Sequence, residues 1–143
     1  MTHVQRSALL PYSAAKMFQL DNDVETYPEF IPWCAQTVVH KESAIEKEAT
    51  MNFSKRGIHA SVTTRNELEE NKQIVMRLVK GPFKHLVGTW HFQQFDEESC
   101  KVELEMEFSF SNRLYEVTLG PIFNQVANKL VSAFIERAKQ LYG

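Results

Sequence analysis

The chain reads as an α+β protein: a curved antiparallel sheet of about seven strands wrapped around one long C-terminal helix, with two short helices after the first strand. Three observations carry this reading. From Gly120-Pro121 to Gly143, Ile122, Val126, Leu130, Phe134 and Ala138 recur every four residues, with Phe123, Ala127, Val131 and Ile135 beside them. That is the apolar stripe of an amphipathic helix. From Trp33 to Ser111 the apolar residues recur instead at every second position, the period of half-buried strands. Short turns separate these strands, so they pair as antiparallel hairpins with one dry face and one wet face. Such a sheet cannot bury its inner face alone, and the helix is the lid it needs.

Taken in order, His3 to Leu10 forms the first strand and Pro11 halts it. Ser13 is a good N-cap for a short helix carrying Ala14, Ala15, Met17, Phe18 and Leu20, which Asp21-Asn22-Asp23 breaks. Val24 to Ile31 forms a second short helix with Pro28 near its start, and Pro32 ends it. A strand follows at 35–43. Ala49, Met51 and Phe53 then alternate with Glu48, Thr50 and Asn52 up to a turn at Lys55-Arg56-Gly57. Ile58, Ala60, Val62 and Thr64 continue the pattern to a turn at Glu69-Glu70-Asn71. Residues 73–79 form another strand, mostly apolar on both faces, and Gly81-Pro82 punctuates. Leu86, Gly88, Trp90 and Phe92 alternate with Val87, Thr89, His91 and Gln93 until Asp96-Glu97-Glu98-Ser99 turns the chain. Cys100, Val102, Leu104, Met106, Phe108 and Phe110 form the cleanest strand. Pro121 suits the first position of the final helix, where its missing N–H costs nothing.

Residues 1–143 contain no repeat, linker or low-complexity stretch, and they read as one domain. The composition, 43% hydrophobic and 24% charged, is that of a globular chain rather than a disordered or membrane-spanning one. A formal net charge of −2 argues against broad phosphate binding, and no DNA partner is expected, but it leaves room for a local basic patch. Cys34 and Cys100 match neither a metal spacing nor a disulfide framework and read as reduced thiols of a cytoplasmic protein. The strand-like N-terminus carries no recognisable signal or transit peptide.

Three motifs sharpen the fold. Tyr27-Pro28-Glu29-Phe30-Ile31-Pro32-Trp33-Cys34, the run Gly81 to Trp90 (GPFKHLVGTW) and the run Ala133 to Gly143 (AFIERAKQLYG) resemble the signatures of one branch of the START-like (SRPBCC) superfamily. That branch holds coenzyme Q-binding proteins and bacterial ribosome-association toxins, often labelled oligoketide or polyketide cyclases. The resemblance covers essentially the whole chain and implies the helix-grip fold. It also implies a cavity for a hydrophobic small molecule, with ubiquinone or a related isoprenoid lipid as ligand in one subgroup. In the other subgroup it implies binding to the large (50S) ribosomal subunit and a block on subunit joining.

The predicted cavity face carries Met51, Phe53, Val62, Met76, Trp90, Phe92, Met106 and Phe108, with Phe123, Val126, Leu130 and Phe134 above it on the helix. Methionines adapt to ligands and also fill awkward gaps, so a ligand cavity and plain packing both fit. Trp33 and Phe30 either line the cavity mouth or plug a corner made by the prolines. Lys55, Arg56, Lys80 and Lys84 come from turns two apart, so they share one end of the sheet and form a candidate basic rim. Phe83, between Lys80 and Lys84, reads as an exposed loop aromatic for RNA or a transient membrane-surface contact, unless the loop is ordinary turn chemistry.

Five scattered histidines give no metal spacing, and no phosphate loop or nucleophile motif occurs. Arg65 and Arg77 are the cations placed nearest a cavity wall, although Arg65 has outward strand parity and Arg77 lies in a strand without clear alternation. Without a positioned titratable constellation no catalytic residue can be named, and the chain reads as non-enzymatic, without metal or cofactor beyond a bound lipid. The first expectation is therefore a lipid carrier supporting respiratory quinone function, the second a ribosome-binding inhibitor of translation initiation, and a weak third a polyketide cyclase.

Overall fold

The computed structural model describes residues 1–143. Strand β1 (Thr2–Leu10) leads into helix α1 (Ala14–Asn22) and a 3-10 helix (Val24–Glu29). Six strands follow: β2 (Cys34–Glu42), β3 (Glu46–Lys55), β4 (Ile58–Glu69), β5 (Gln73–Lys80), β6 (Phe83–Asp96) and β7 (Ser99–Phe110), then helix α2 (Arg113–Tyr142). The seven strands form one antiparallel sheet in the order β1-β7-β6-β5-β4-β3-β2. The sheet is a meander from β2 to β7 with β1 added beside β7. The two short helices therefore carry the chain from one edge of the sheet to the other.

Each element starts where its local chemistry directs. The Ser13 side chain accepts from the Lys16 N–H and caps α1. The β3–β4 hairpin turns on Arg56 and Gly57, both with positive φ (50° and 83°), the geometry that matches the twist of paired strands. Register shifts interrupt β2–β3, β4–β5 and β6–β7, and such bulges bend a sheet. The bend makes one face concave, and α2 lies in it.

Helix α2 departs from expectation at its start. It begins at Arg113, not Pro121, because Asn112 caps it by accepting from the Tyr115 N–H. Pro121 lies inside the helix, where it removes one helical hydrogen bond. The preceding turns are exposed to solvent, which can serve the carbonyl left free. This added stretch leaves Leu114, Tyr115 and Val117 exposed, so it carries no apolar stripe for a sequence pattern to detect. Beyond it the expected face is buried: Ile122, Phe123, Val126, Ala127, Val131, Phe134 and Ala138. Pro28, expected near the start of the second short helix, sits next to its last residue instead.

The core runs along the concave face. Phe123 meets Phe53, Phe83 and Phe110 edge-on or tilted at 5.1–6.2 Å, tying the first half of α2 to three strands. Phe134 meets Trp90 at 5.1 Å, Phe30 at 5.1 Å and Tyr27 at 5.6 Å, all edge-to-face, tying the second half to the sheet centre and the 3-10 helix.

Candidate functional site

An apolar cavity of about 80 Å³ lies between α2 and the sheet. All the helix and sheet residues expected to face it do so except Phe92, and Trp33 also lies outside it. Phe92 shares the inward side of β6 but lies towards its far end. There it packs edge-to-face on Phe18 beneath α1, at 5.8 Å. Trp33 stands at the corner before β2 with φ 59°, and this left-handed backbone turns the indole towards Lys55 and Lys129 on the outside. The wall also includes Tyr27, Ile31, Thr64, Phe83, Leu86, Gly88 and Ala127. Thr64, Leu86 and Gly88 continue the alternation of β4 and β6, so their inward parity was readable. Tyr27 and Ile31 reach the wall only through the fold of the 3-10 helix and its exit.

The volume is small because methionines fill it. Met76, Gly88 and Met106 are direct cross-strand neighbours on β5, β6 and β7. A Cβ built on Gly88 would lie 2.7 Å from the Met76 Cε and 3.3 Å from the Met106 Cε, so both thioethers lean over the glycine. The residual space suits two or three waters at about 30 Å³ each, whereas ligand pockets span about 300–1,000 Å³. A bulky ligand can enter only if these flexible side chains move aside.

Polar groups gather at one end of the concave face. The four buried polar or charged residues are Asp21, Lys47, Thr64 and Asn66. The Thr64 hydroxyl donates to the Asn66 Oδ1 at 3.0 Å. Lys47, paired in register with Asn66, donates to the Asn22 carbonyl at 2.6 Å and meets Glu42 at 3.1 Å. The Tyr27 hydroxyl donates to the Asp21 backbone carbonyl and to Asp21 Oδ1, the latter at 2.9 Å. Burial pushes the Asp21 carboxyl well above the usual carboxylate range, against the opposing pull of the Tyr27 hydrogen bond. Burial and the neighbouring Asp21 push the Tyr27 hydroxyl up as well. Thr64 and Tyr27 are the hydroxyl-bearing residues of the cavity wall, and both hydroxyls are engaged by protein acceptors.

Arg65 and Arg77, expected near the wall, point the other way. They pair with Glu46 and Glu67 on the outer face, each half exposed, because their strand parity is outward. Phe83 reverses the expectation in the opposite sense. The β5–β6 turn is only Gly81-Pro82, so Phe83 is already a strand residue in register with Phe110. It is buried against Phe108, Phe110 and Phe123, and cannot serve as a surface contact.

The rest of the basic rim assembles. The turns after β3 and β5 lie at one end of the sheet, bringing Lys55, Arg56, Lys80 and Lys84 to it. Lys129 of α2 joins Lys55 at the same end through the Trp33 ring, and Lys55 donates to Gln125 at 3.1 Å. None of these five cations pairs with a carboxylate; the ion pairs of the protein involve other residues. The opposite end holds the turns bearing Glu42 and Glu46, Glu69 and Glu70, and Asp96, Glu97 and Glu98. Charge that nearly cancels over the chain is thus separated along the sheet.

A curved antiparallel sheet gripping a long helix over an apolar cavity is the START-like helix-grip architecture. Matching solved structures share it: the Zhui aromatase/cyclase of Streptomyces sp. R1128 superposes with a TM-score of 0.83 at 16% identity, over 97% of this chain and 94% of its own. The family described as polyketide cyclase / dehydrase and lipid transport matches residues 10–135, and the chain belongs to it. Within the family, the ribosome association toxin RatA of Pseudomonas aeruginosa is 47% identical over 142 residues, 99% of each chain. More distantly, the mitochondrial coenzyme Q-binding protein COQ10 of Dictyostelium discoideum is 24% identical over 138 residues, 94% of this chain and 67% of that one.

Proposed function

We propose that the protein binds the large ribosomal subunit and hinders subunit joining through its basic end, working in the cytoplasm and without catalysis. The observation that carries this reading is the near-half identity, across the whole chain, to proteins named for ribosome association. The rim supports it physically. Five unpaired cations at one end supply the phosphate contacts that ribosomal RNA requires, and the acidic far end orients the approach of the protein. The engaged hydroxyls of Thr64 and Tyr27 favour a non-enzymatic role. The test is sedimentation with purified large subunits over a salt series: binding at low salt that falls steeply as salt rises is expected. Failure to sediment at any salt would end the proposal.

A second reading rests on the apolar cavity wall and the coenzyme Q-binding relative: a quinone or similar lipid displaces the methionines and lodges beneath α2. Cavity and rim are separate surfaces, so the two roles are compatible. Mass spectrometry of lipid co-purified with native protein tests it, a carrier being expected to retain ligand.

A further inference from the structure

Trp33 holds a backbone conformation that bulky residues rarely adopt. Its φ of 59° lies in the left-handed region, and such strain gathers where the surroundings impose it for a purpose. Here the backbone is pinned, because the Trp33 carbonyl accepts from the Ser54 N–H at 2.9 Å. The result is a partly exposed indole at the basic end. Lys55 Nζ stands 4.0 Å and Lys129 Nζ 5.6 Å from its ring centroid. Neither ammonium reaches a carboxylate, and Lys55 has only the neutral Gln125 oxygen. Two ammonium groups thus converge on one ring without a counter-ion. An anion arriving beside them supplies one. A flat π-system takes the ring face that the lysines vacate.

One class of ligand carries both features: a nucleic acid strand with an unpaired base beside its phosphates. A lipid headgroup supplies the anion but wants apolar side chains projecting beside the ring. Beside the ring only Ile58, paired with Lys55 and 39% exposed, offers such a side chain, too little for a membrane anchor. The exposed Val117 and Leu114 lie on α2 about 18 Å or more along the axis from Lys129. We infer that Trp33 is a stacking platform for an unpaired base of RNA, with Lys55 and Lys129 taking the flanking phosphates. This rests on the ribosomal reading and names the contact within it.

The test uses the full chain labelled with fluorotryptophan, so that Trp33 and the buried Trp90 give separate fluorine resonances. On titration with an unstructured oligoadenylate at low salt, the Trp33 resonance is expected to move and that of Trp90 to stay. Trp33→Ala should weaken binding about tenfold, while Trp33→Phe keeps most of it. Lys55→Gln with Lys129→Gln should reduce the salt slope by about the equivalent of two phosphate contacts. A static Trp33 resonance, or Trp33→Ala binding as tightly as wild type, overturns the inference. So does a Trp33 shift produced by phosphatidylglycerol vesicles and not by RNA. If wild type sediments with large subunits and Trp33→Ala sediments equally, the platform is lost and the ribosomal reading stands. If wild type does not sediment, the reading falls and takes the platform with it.

Discussion

Met76 and Gly88 share one space: the Met76 methyl lies 2.7 Å from where a Gly88 Cβ would stand. The glycine lets two thioethers from the flanking strands converge under α2, which is why the cavity is nearly closed. Because the clash involves the free ends of flexible side chains, Gly88→Ala should change stability by only about 1 kcal/mol. Truncating Met76 or Met106 to Ala should instead cost about 2–5 kcal/mol and enlarge the cavity. Thermal denaturation read beside binding of an apolar fluorescent probe checks both. Probe binding that ignores all three substitutions would place any ligand elsewhere.

Phe134 is 3% exposed and touches three aromatic rings from two other elements. Phe134→Ala should therefore cost about 3–5 kcal/mol in urea denaturation. A loss below about 1 kcal/mol would mean that the helix is not held through this residue.

Asp21 makes stability depend on pH. Its folded pKa is raised by burial, so as pH rises above about 3.9 the unfolded chain loses this proton first. The unfolded state then binds fewer protons than the folded one, and stability falls with rising pH until the folded pKa is passed. Asp21→Asn keeps an acceptor for Tyr27 and does not titrate. The mutant should gain on wild type as pH climbs from 4 towards neutrality, read as denaturant midpoints over a pH series. A constant gap would show that the carboxyl is not desolvated.

Burial pushes the Cys34 thiol up to about 11, opposed by a backbone hydrogen bond from Gln36, and Cys100 is also raised by burial. At pH 8 the Cys34 thiolate is then about one part in a thousand. Both thiols should resist iodoacetamide in native protein and react once urea unfolds it, as followed by intact-mass measurement. Rapid native labelling of Cys34 would show that the corner beside Trp33 opens readily.

Charge reversal of the rim separates the two functional readings. Lys55, Arg56, Lys80 and Lys84 changed together to Glu should abolish sedimentation with large subunits while leaving the lipid content of purified protein unchanged. A variant that still sediments would move the contact off this end of the molecule.

The alternation from Cys100 to Phe110 and the four-residue spacing from Ile122 to Ala138 determined, without coordinates, a half-buried strand and the helix that covers it. Strand parity likewise identified most of the cavity wall, since a side chain on a paired strand has only two faces to choose between. Consecutive antiparallel turns alone put Lys55, Arg56, Lys80 and Lys84 at one end. What parity cannot express, the tertiary structure decided. Where α2 begins depended on the Asn112 cap, because Leu114 and Val117 bury nothing and leave no periodic trace. Whether Phe83 was loop or core depended on a turn that closes in two residues and returns the chain to register with Phe110. The side to which Trp33 turns depended on a left-handed φ imposed by its neighbours, a backbone choice that no side-chain pattern records. The size of the cavity depended on how far Met76 and Met106 lean over Gly88. Flexible side chains settle that by packing in three dimensions, not by their order along the chain.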